Sequence, residues 1–420
     1  MAIFLKSDRP QGLTEKEMTE ALARSLQGRE LNKVLLIGPD ITRLHSNAGF
    51  IVNRYYHMLQ GKAEVDVLPA LGTHHPMSEE EIREMYGDIP RERFLVHNWR
   101  ESLVKIGEVP AEFISGATEG LWNEGLACEV NAKVVDPSYD LVISVGQVVP
   151  HEVIGMANHA KNIFVGCGGK DTINKTHMIG AVYGMERMMG KDHTPVRKIL
   201  DYCWENFLDK RKFLFVLTVT TAPEGAIRTH GLFIGQERDV LEAAVELAQE
   251  KNIDFLDRGI RKCLVYLDPK EFKSTWLGNK AIYRTRMVIE DGGELIILAP
   301  GVHRFGEDDG VDKLIRKYGY CGRLKVLELV KENEDLRQNL GAAAHLIHSS
   351  SDGRFKITYA VKLLSREEVE GVHFAYADFD EIANKYEIDN LVPGWNRVNG
   401  EELYFIPNPA LGLWIDKNRF

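Results

Sequence analysis

Hydrophobic and polar positions switch between two periods along the chain. Short apolar, β-branched runs of strand length alternate with stretches where apolar residues recur every three or four positions, the pattern of a βα series. Thr14 to Leu26 carry Met18, Ala21, Leu22 and Leu26 at helical spacing behind Thr14 as a cap. The strand predicted next, Lys33 to Gly38, opens into Pro39-Asp40-Ile41-Thr42-Arg43. A helix around Gly49 to Leu59 leads to a strand over Val65 to Leu71, which opens into Gly72-Thr73-His74-His75-Pro76-Met77. Ser78 and Glu81 then form the capping-box pattern of a new helix. The run Asp140 to Gly146 predicts a third buried strand, punctuated by Gly146 and Pro150 and delivering His151.

Parallel, right-handed units place the loops after such strands on one edge of the sheet, where open α/β folds carry their ligand sites. Asp40, Arg43, His74 and His151 are therefore expected to converge. From about 178 to 260 the pattern predicts helices with one strand, Leu214 to Thr220, and a strongly amphipathic helix from Glu237 to Lys251. A second αβ series begins near Lys262 to Leu267 and continues through strands at Glu294 to Leu298 and Lys356 to Ala360. At 420 residues the chain exceeds what one core usually fills. The expectation is an α/β fold of two domains with mainly parallel sheets, 1–265 and 266–420, and an active site in the cleft between them.

Composition narrows the function. Hydrophobic residues make up 44% and charged residues 27%, ordinary globular usage. The longest apolar runs, such as Leu295 to Pro300, fall far short of the roughly 20 residues that span a bilayer, and Met1 to Lys6 lead into polar sequence without a signal-peptide core. Five scattered cysteines with no Cys-x-x-Cys pair argue against a disulfide framework and a thiolate zinc site, which fits a reducing cytoplasm. A net charge of −10 opposes nucleic-acid binding and leaves small molecules or proteins as the expected partners.

Candidate chemistry concentrates between His151 and His177. His151, Lys161 and His177 can each bind a metal, move a proton or form a covalent bond, and Gly155, Gly166, Gly168 and Gly169 let the backbone approach a ligand closely. Gly166-Cys-Gly-Gly-Lys170 is not a phosphate loop, because Phe164 stands where its first glycine belongs and Asp171 follows the lysine. The Gly-x-Gly-x-x-Gly dinucleotide fingerprint is also missing after the first strand. Asp40-Ile-Thr-Arg43 reads either as a helix cap with a surface arginine or as an arginine fork for a carboxylate or phosphate.

These motifs together resemble the nickel-pincer-dependent lactate racemases and related 2-hydroxy acid racemases and epimerases. Asp40, Thr42 and Arg43 match the family's Asp-x-Thr-Arg, and Gly72-Thr73-His74 match its Gly-Thr-His. His151, Lys161 and His177 follow at intervals of ten and sixteen residues (161−151 and 177−161). The resemblance implies that Lys161 tethers a nicotinic acid-derived nickel-pincer mononucleotide through a thioamide and that His177 completes the nickel's square plane. It implies His74 and His151 as an acid/base pair, Arg43 as the grip on the substrate carboxylate, and Asp40 and Thr42 as groups positioning the nucleotide or its neighbours. It further implies oxidation of the carbinol carbon by hydride transfer and return of the hydride to the opposite face. Such a route avoids deprotonating a barely acidic C–H, and imidazoles titrating near neutrality suit the proton transfers.

The sequence departs from the family in two places. Asn158-His159-Ala160 stand where the family has Gly-Gly-Arg before the lysine, and the Tyr-Gln-x-x-Lys substrate motif is replaced by Asn279-Lys280-Ala-Ile-Tyr283-Arg284-Thr-Arg286. Lys280, Tyr283 and Arg284 are read either as a solvated helix face or as contacts to a larger, polyhydroxylated acid such as an aldonate or uronate. Two other functions keep a place: a sugar-acid oxidoreductase or lyase using His151 and His177 with another metal, and a noncatalytic nucleotide- or metal-binding protein.

Overall fold

The computed structural model describes residues 2–410 and 412–420. The chain forms two compact units, one of residues up to Ile179 together with Met188–Asn252, the other of Gly180–Arg187 and Ile253–Phe420.

The first unit is built on a six-stranded sheet of β1 (Ile3–Lys6), β2 (Lys33–Pro39), β3 (Glu64–Ala70), β4 (Leu141–Gln147), β5 (Phe213–Thr221) and β6 (Arg228–Gly235), in the order β1-β6-β5-β4-β2-β3. The four strands β3, β2, β4 and β5 run parallel, and β6 and β1 close the edge antiparallel. Register brings Pro39 opposite Ala70 and Ile37 opposite Ser144, so the three strands expected to carry site residues end on one edge. Every residue of β4 is buried, which is why its sequence is a continuous apolar run and not an alternating one. One face of the sheet packs Val34, Leu36, Ile143 and Val216 against Ile51, Val52 and Tyr55 of the helix Ala48–Leu59. Fully burying each such aliphatic side chain contributes roughly 1.5–3 kcal/mol. Both expected caps form: Thr14 with Glu17, and Ser78 with Glu81, exchange reciprocal capping-box hydrogen bonds.

The second unit carries β7 (Ile260–Tyr266), β8 (Ile289–Ala299), β9 (Lys356–Val361), β10 (Ala375–Asp378), β11 (Gly394–Val398) and β12 (Glu401–Ile406), in the order β10-β9-β8-β7-β12-β11. All neighbours are parallel except β11 with β12. Leu264, Ile296, Leu298 and Phe405 pack there with Phe379 and Tyr386.

Two expectations require correction. The boundary placed at 265/266 lies at Asn252/Ile253, because β7 pairs in parallel with β8 and β12 and belongs to the second sheet; Gly180–Arg187 also joins that unit. The stretch 178–260 holds two long strands where one was expected. β6 begins with Arg228-Thr-His and contains Gly231 and Gly235, which masked its period, while pairing with β5 on one side and β1 on the other stabilises it.

Candidate active site in the first unit

Asp40 follows β2 and caps the short 3₁₀ turn Ile41–Ser46. One carboxylate oxygen accepts the Thr42 backbone N–H at 3.1 Å and the Thr42 hydroxyl, and the other accepts a hydrogen bond from His74 Nδ1. Burial of Asp40 opposes its charge, but the His74 hydrogen bond and the nearby charges of His74 and Arg43, with the Thr42 hydroxyl, hold its carboxyl below the usual carboxylate value. An ionised carboxylate can only accept, so Nδ1 of His74 carries a proton, and in the neutral ring Nε2 is the atom with the lone pair. The His74 side chain is 52% exposed, so the ring is accessible. Arg43 leans on Thr42, its guanidinium 3.3 Å from the hydroxyl and 3.4 Å from the carbonyl oxygen, and its charge reaches both His151 and Lys161.

His151 lies on a two-residue ladder, Pro150–His151 against Gly155–Met156, that follows β4. Its Nδ1 accepts the Val153 backbone N–H at 3.1 Å. Burial pushes its pKa well below the ordinary imidazole value; the Glu152 charge acts in the other direction, while Lys161, Arg43 and His177 add to the fall.

Lys161 immediately precedes a π-helical turn, Asn162–Gly166, a local irregularity common at functional sites. The turn is tied to the end of β3 by the Gly72 N–H to Gly166 carbonyl bond at 2.8 Å, and a Cβ at Gly166 would stand 2.8 Å from that of Ala70. Desolvation, reinforced by Arg43, brings the Lys161 amine down to about 8. The departure Asn158-His159-Ala160 has a structural answer: Asn158 (φ 73°) and His159 (φ 57°) both take the left-handed conformation that favours glycine. Asn and His are among the side chains that tolerate it best. Asn158 rests against Gly146, where a Cβ would collide with its amide, and buried Arg197 donates to the carbonyls of Asn158 (3.1 Å) and Met156 (2.8 Å). The His159 ring is packed on Phe215 with centroids 3.9 Å apart.

His177 stands on the helix Lys170–Tyr183, one turn after Ile173, and its Nδ1–H donates to the Ile173 carbonyl at 2.6 Å. Nε2 therefore keeps its lone pair. Burial also lowers the pKa of this imidazole, against the pull of that carbonyl. A neutral, tautomer-locked imidazole with an open Nε2 is the form that ligates a metal. With a lysine amine brought toward neutrality beside it, the donor set fits a tethered nucleotide carrying nickel.

The remaining expected contacts lie in the second unit. Tyr283 and Arg284 are buried, and Lys280 holds its ammonium 6.0 Å from the Phe272 ring centre, so the helix Lys280–Thr285 is not a solvated face. Asn279 accepts the Tyr359 hydroxyl, and buried Arg286 binds Glu186 at 2.7 Å together with the carbonyls of His348 and Ser350; these two are structural. Sequence reasoning missed Val153, Ile173 and Arg197. Ile173 was within reach, since it lies four residues before a histidine on a helix; Val153 acts through its backbone and Arg197 through burial, and neither leaves a pattern.

Fold and site together define an α/β protein of two units whose first sheet gathers His74, His151, Lys161 and Arg43 around its carboxyl edge, with His177 on the helix Lys170–Tyr183 beyond it. Residues 6–189 match the model of the lactate racemase N-terminal domain family. Over 98% of its length the chain is similar to the whole of a Thermotoga maritima protein of known crystal structure, with 25% identity and a TM-score of 0.81. It has the fold of the lactate racemase apoprotein from Thermoanaerobacterium thermosaccharolyticum, with 17% identity, a TM-score of 0.71 and 98% and 97% of the two chains covered. No curated protein matches the chain by sequence. No helix among the described residues is long and apolar enough to cross a membrane.

Proposed function

We propose that the chain is a racemase or epimerase that inverts the C2 centre of a 2-hydroxy acid with a nickel-pincer mononucleotide tethered through Lys161. The likeness to lactate racemases supports the reaction class. The observation that carries the cofactor reading is the pairing of Lys161, its amine brought to about 8, with His177, whose Nε2 is left open by the bond to Ile173. When bound, the nucleotide supplies a ring that accepts and returns hydride. Lys161 holds it and His177 ligates the nickel, an imidazole donor that suits square-planar Ni(II). Arg43 binds the substrate carboxylate through its planar fork. His74, oriented by Asp40, meets the hydroxyl proton through Nε2, and His151 faces the same oxygen. A substrate larger than lactate, a sugar acid, is the reading we favour, from the polar character of Lys280, Tyr283 and Arg284.

The test is an epimerisation screen of aldonates, uronates and short 2-hydroxy acids with enzyme produced alongside the cofactor-making enzymes and nickel. Substrate deuterated at C2 should give the inverted acid with its deuterium retained. Deuterium lost to solvent would mean deprotonation at carbon and would sink the hydride route, while reduction of added NAD by an aldonate would favour an oxidoreductase.

A further inference from the structure

The scattered cysteines conceal one pair. Cys128 lies on the strand Leu126–Asn131, which runs antiparallel to Leu103–Val109, and Cys203 lies on the helix Pro195–Phe207. Cys128 stands directly opposite Gly107, so the two residues present one face of the ribbon. That face meets the helix, because a Cβ at Gly107 would come within 2.5 Å of the Phe207 ring. Cys203 precedes Phe207 by about one helical turn and so belongs to the stripe laid against Cys128. Both cysteines are wholly buried, and the Cys203 S–H donates to the Cys128 sulfur. That bond and burial push the Cys203 thiol well above its usual value, which leaves Cys128 as the partner that reacts as a thiolate.

We propose that Cys128 and Cys203 are a thiol–disulfide pair, closed by peroxide, that staples the strand Leu126–Asn131 to the helix Pro195–Phe207. In a reducing compartment the pair rests as thiols and closes under oxidative load. The chemistry balances in two steps. The Cys128 thiolate attacks one oxygen of hydrogen peroxide, the O–O bond breaks, and Cys128 becomes a sulfenic acid. The released hydroxide and the proton that Cys128 gave up make one water. The Cys203 sulfur then attacks the Cys128 sulfur, and the S–S bond forms as the S–OH bond breaks. The hydroxyl leaves with the Cys203 proton as a second water, so two thiols are oxidised and one peroxide is reduced.

The staple joins two supports of the segment that carries Lys161 and His177. From the strand, the Ala127 N–H donates to the Asp171 carboxylate at 2.9 Å, and the Glu129 carbonyl accepts the Gly169 N–H at 3.2 Å. These bonds hold the start of the His177 helix. From the helix, Arg197 holds the carbonyls of Met156 and Asn158 ahead of Lys161. Closing the pair ties a stretch of 75 residues (203−128) into a loop, and long loops bring the larger stabilisation. The inference does not depend on the proposed reaction.

The test uses the full chain without cofactor. After exposure to hydrogen peroxide, the remaining thiols are alkylated in denaturant and the peptides weighed. The expected product is a peptide pair linked through Cys128 and Cys203, with a melting temperature several degrees above that of the reduced protein and restored by dithiothreitol. Amide hydrogen exchange over residues 156–177 should slow in the linked form. Refolding from urea in a glutathione redox buffer, where both thiols are accessible, should give the same link. Cys203→Ser should trap the Cys128 sulfenic acid as its dimedone adduct, whereas Cys128→Ser should leave Cys203 unlabelled. Both cysteines alkylated after oxidation and after refolding, or a disulfide joining either one to another cysteine, would overturn the pair. Dimedone on Cys203 alone would overturn the order of steps, and unchanged exchange over 156–177 would overturn the staple's reach to the site.

Discussion

Asp40 and His74 are joined by a hydrogen bond between a carboxylate that is almost wholly buried and an imidazole that is half exposed. The buried partner holds the ring through Nδ1–H, while the exposed partner stays available to a substrate. Asp40→Asn keeps the shape and removes the charge. We expect a fall in kcat of about 10²–10⁴, the range seen when an orienting carboxylate beside a catalytic histidine is neutralised. Far-UV circular dichroism should remain unchanged. Activity within a few-fold of the parent would show that His74 needs no such partner.

Lys161 should be the most readily carbamylated lysine of the first unit at neutral pH. Its amine is brought down to about 8 by desolvation and by Arg43, so at pH 8 about half of it is neutral, against under 1% of an ordinary lysine near 10.4. Peptide mass after brief exposure to cyanate, a reagent small enough for a buried site, measures the order of modification. Arg43→Gln should slow the reaction at Lys161, because removing that cation raises the amine's pKa. A Lys161 that reacts like surface lysines would refute the shift.

His177→Ala should separate nickel from nucleotide. The account expects the Lys161 adduct to persist while bound nickel, measured by elemental analysis, falls well below that of the parent. Loss of both together would mean that the histidine acts on attachment and not as a ligand.

Acid should destabilise the protein over a defined window. His97 is buried, donates through Nε2 to the Gly168 carbonyl and accepts from Asn131, and burial lowers its pKa to about 4. As pH falls from 6.5 the unfolded chain takes up the proton first, so stability is full above about 6.5 and drains until about 4, at roughly 1.4 kcal/mol per unit. His97 alone accounts for up to about 3 kcal/mol of that loss, and His151 and His159 act in the same direction. Melting temperature measured against pH should fall through this range, with a shallower slope in His97→Gln. A flat profile would contradict the neutral buried state.

The sequence made the strand edge legible because fully buried parallel strands are continuous apolar runs, and the polar residues at their ends stood out against Lys33–Gly38, Val65–Leu71 and Asp140–Gly146. The edge strands were less visible. β1 has four residues, and β6 draws its stability from both neighbours and little from its own pattern. Residue types at the site were equally legible, but their protonation states were not. Those depend on backbone atoms of Val153 and Ile173 and on the carboxylate of Asp40, contacts fixed only by folding. Asn158 and His159 illustrate the same limit: their residue types do not announce the left-handed backbone that both adopt.

The central claim, a nucleotide carrying nickel on Lys161, is most directly tested by intact and peptide mass of the protein produced together with the cofactor's biosynthetic enzymes and nickel. The account predicts a nucleotide-plus-nickel adduct localised to Lys161 and missing from Lys161→Ala. An unmodified Lys161 under conditions that modify a known lactate racemase would contradict it.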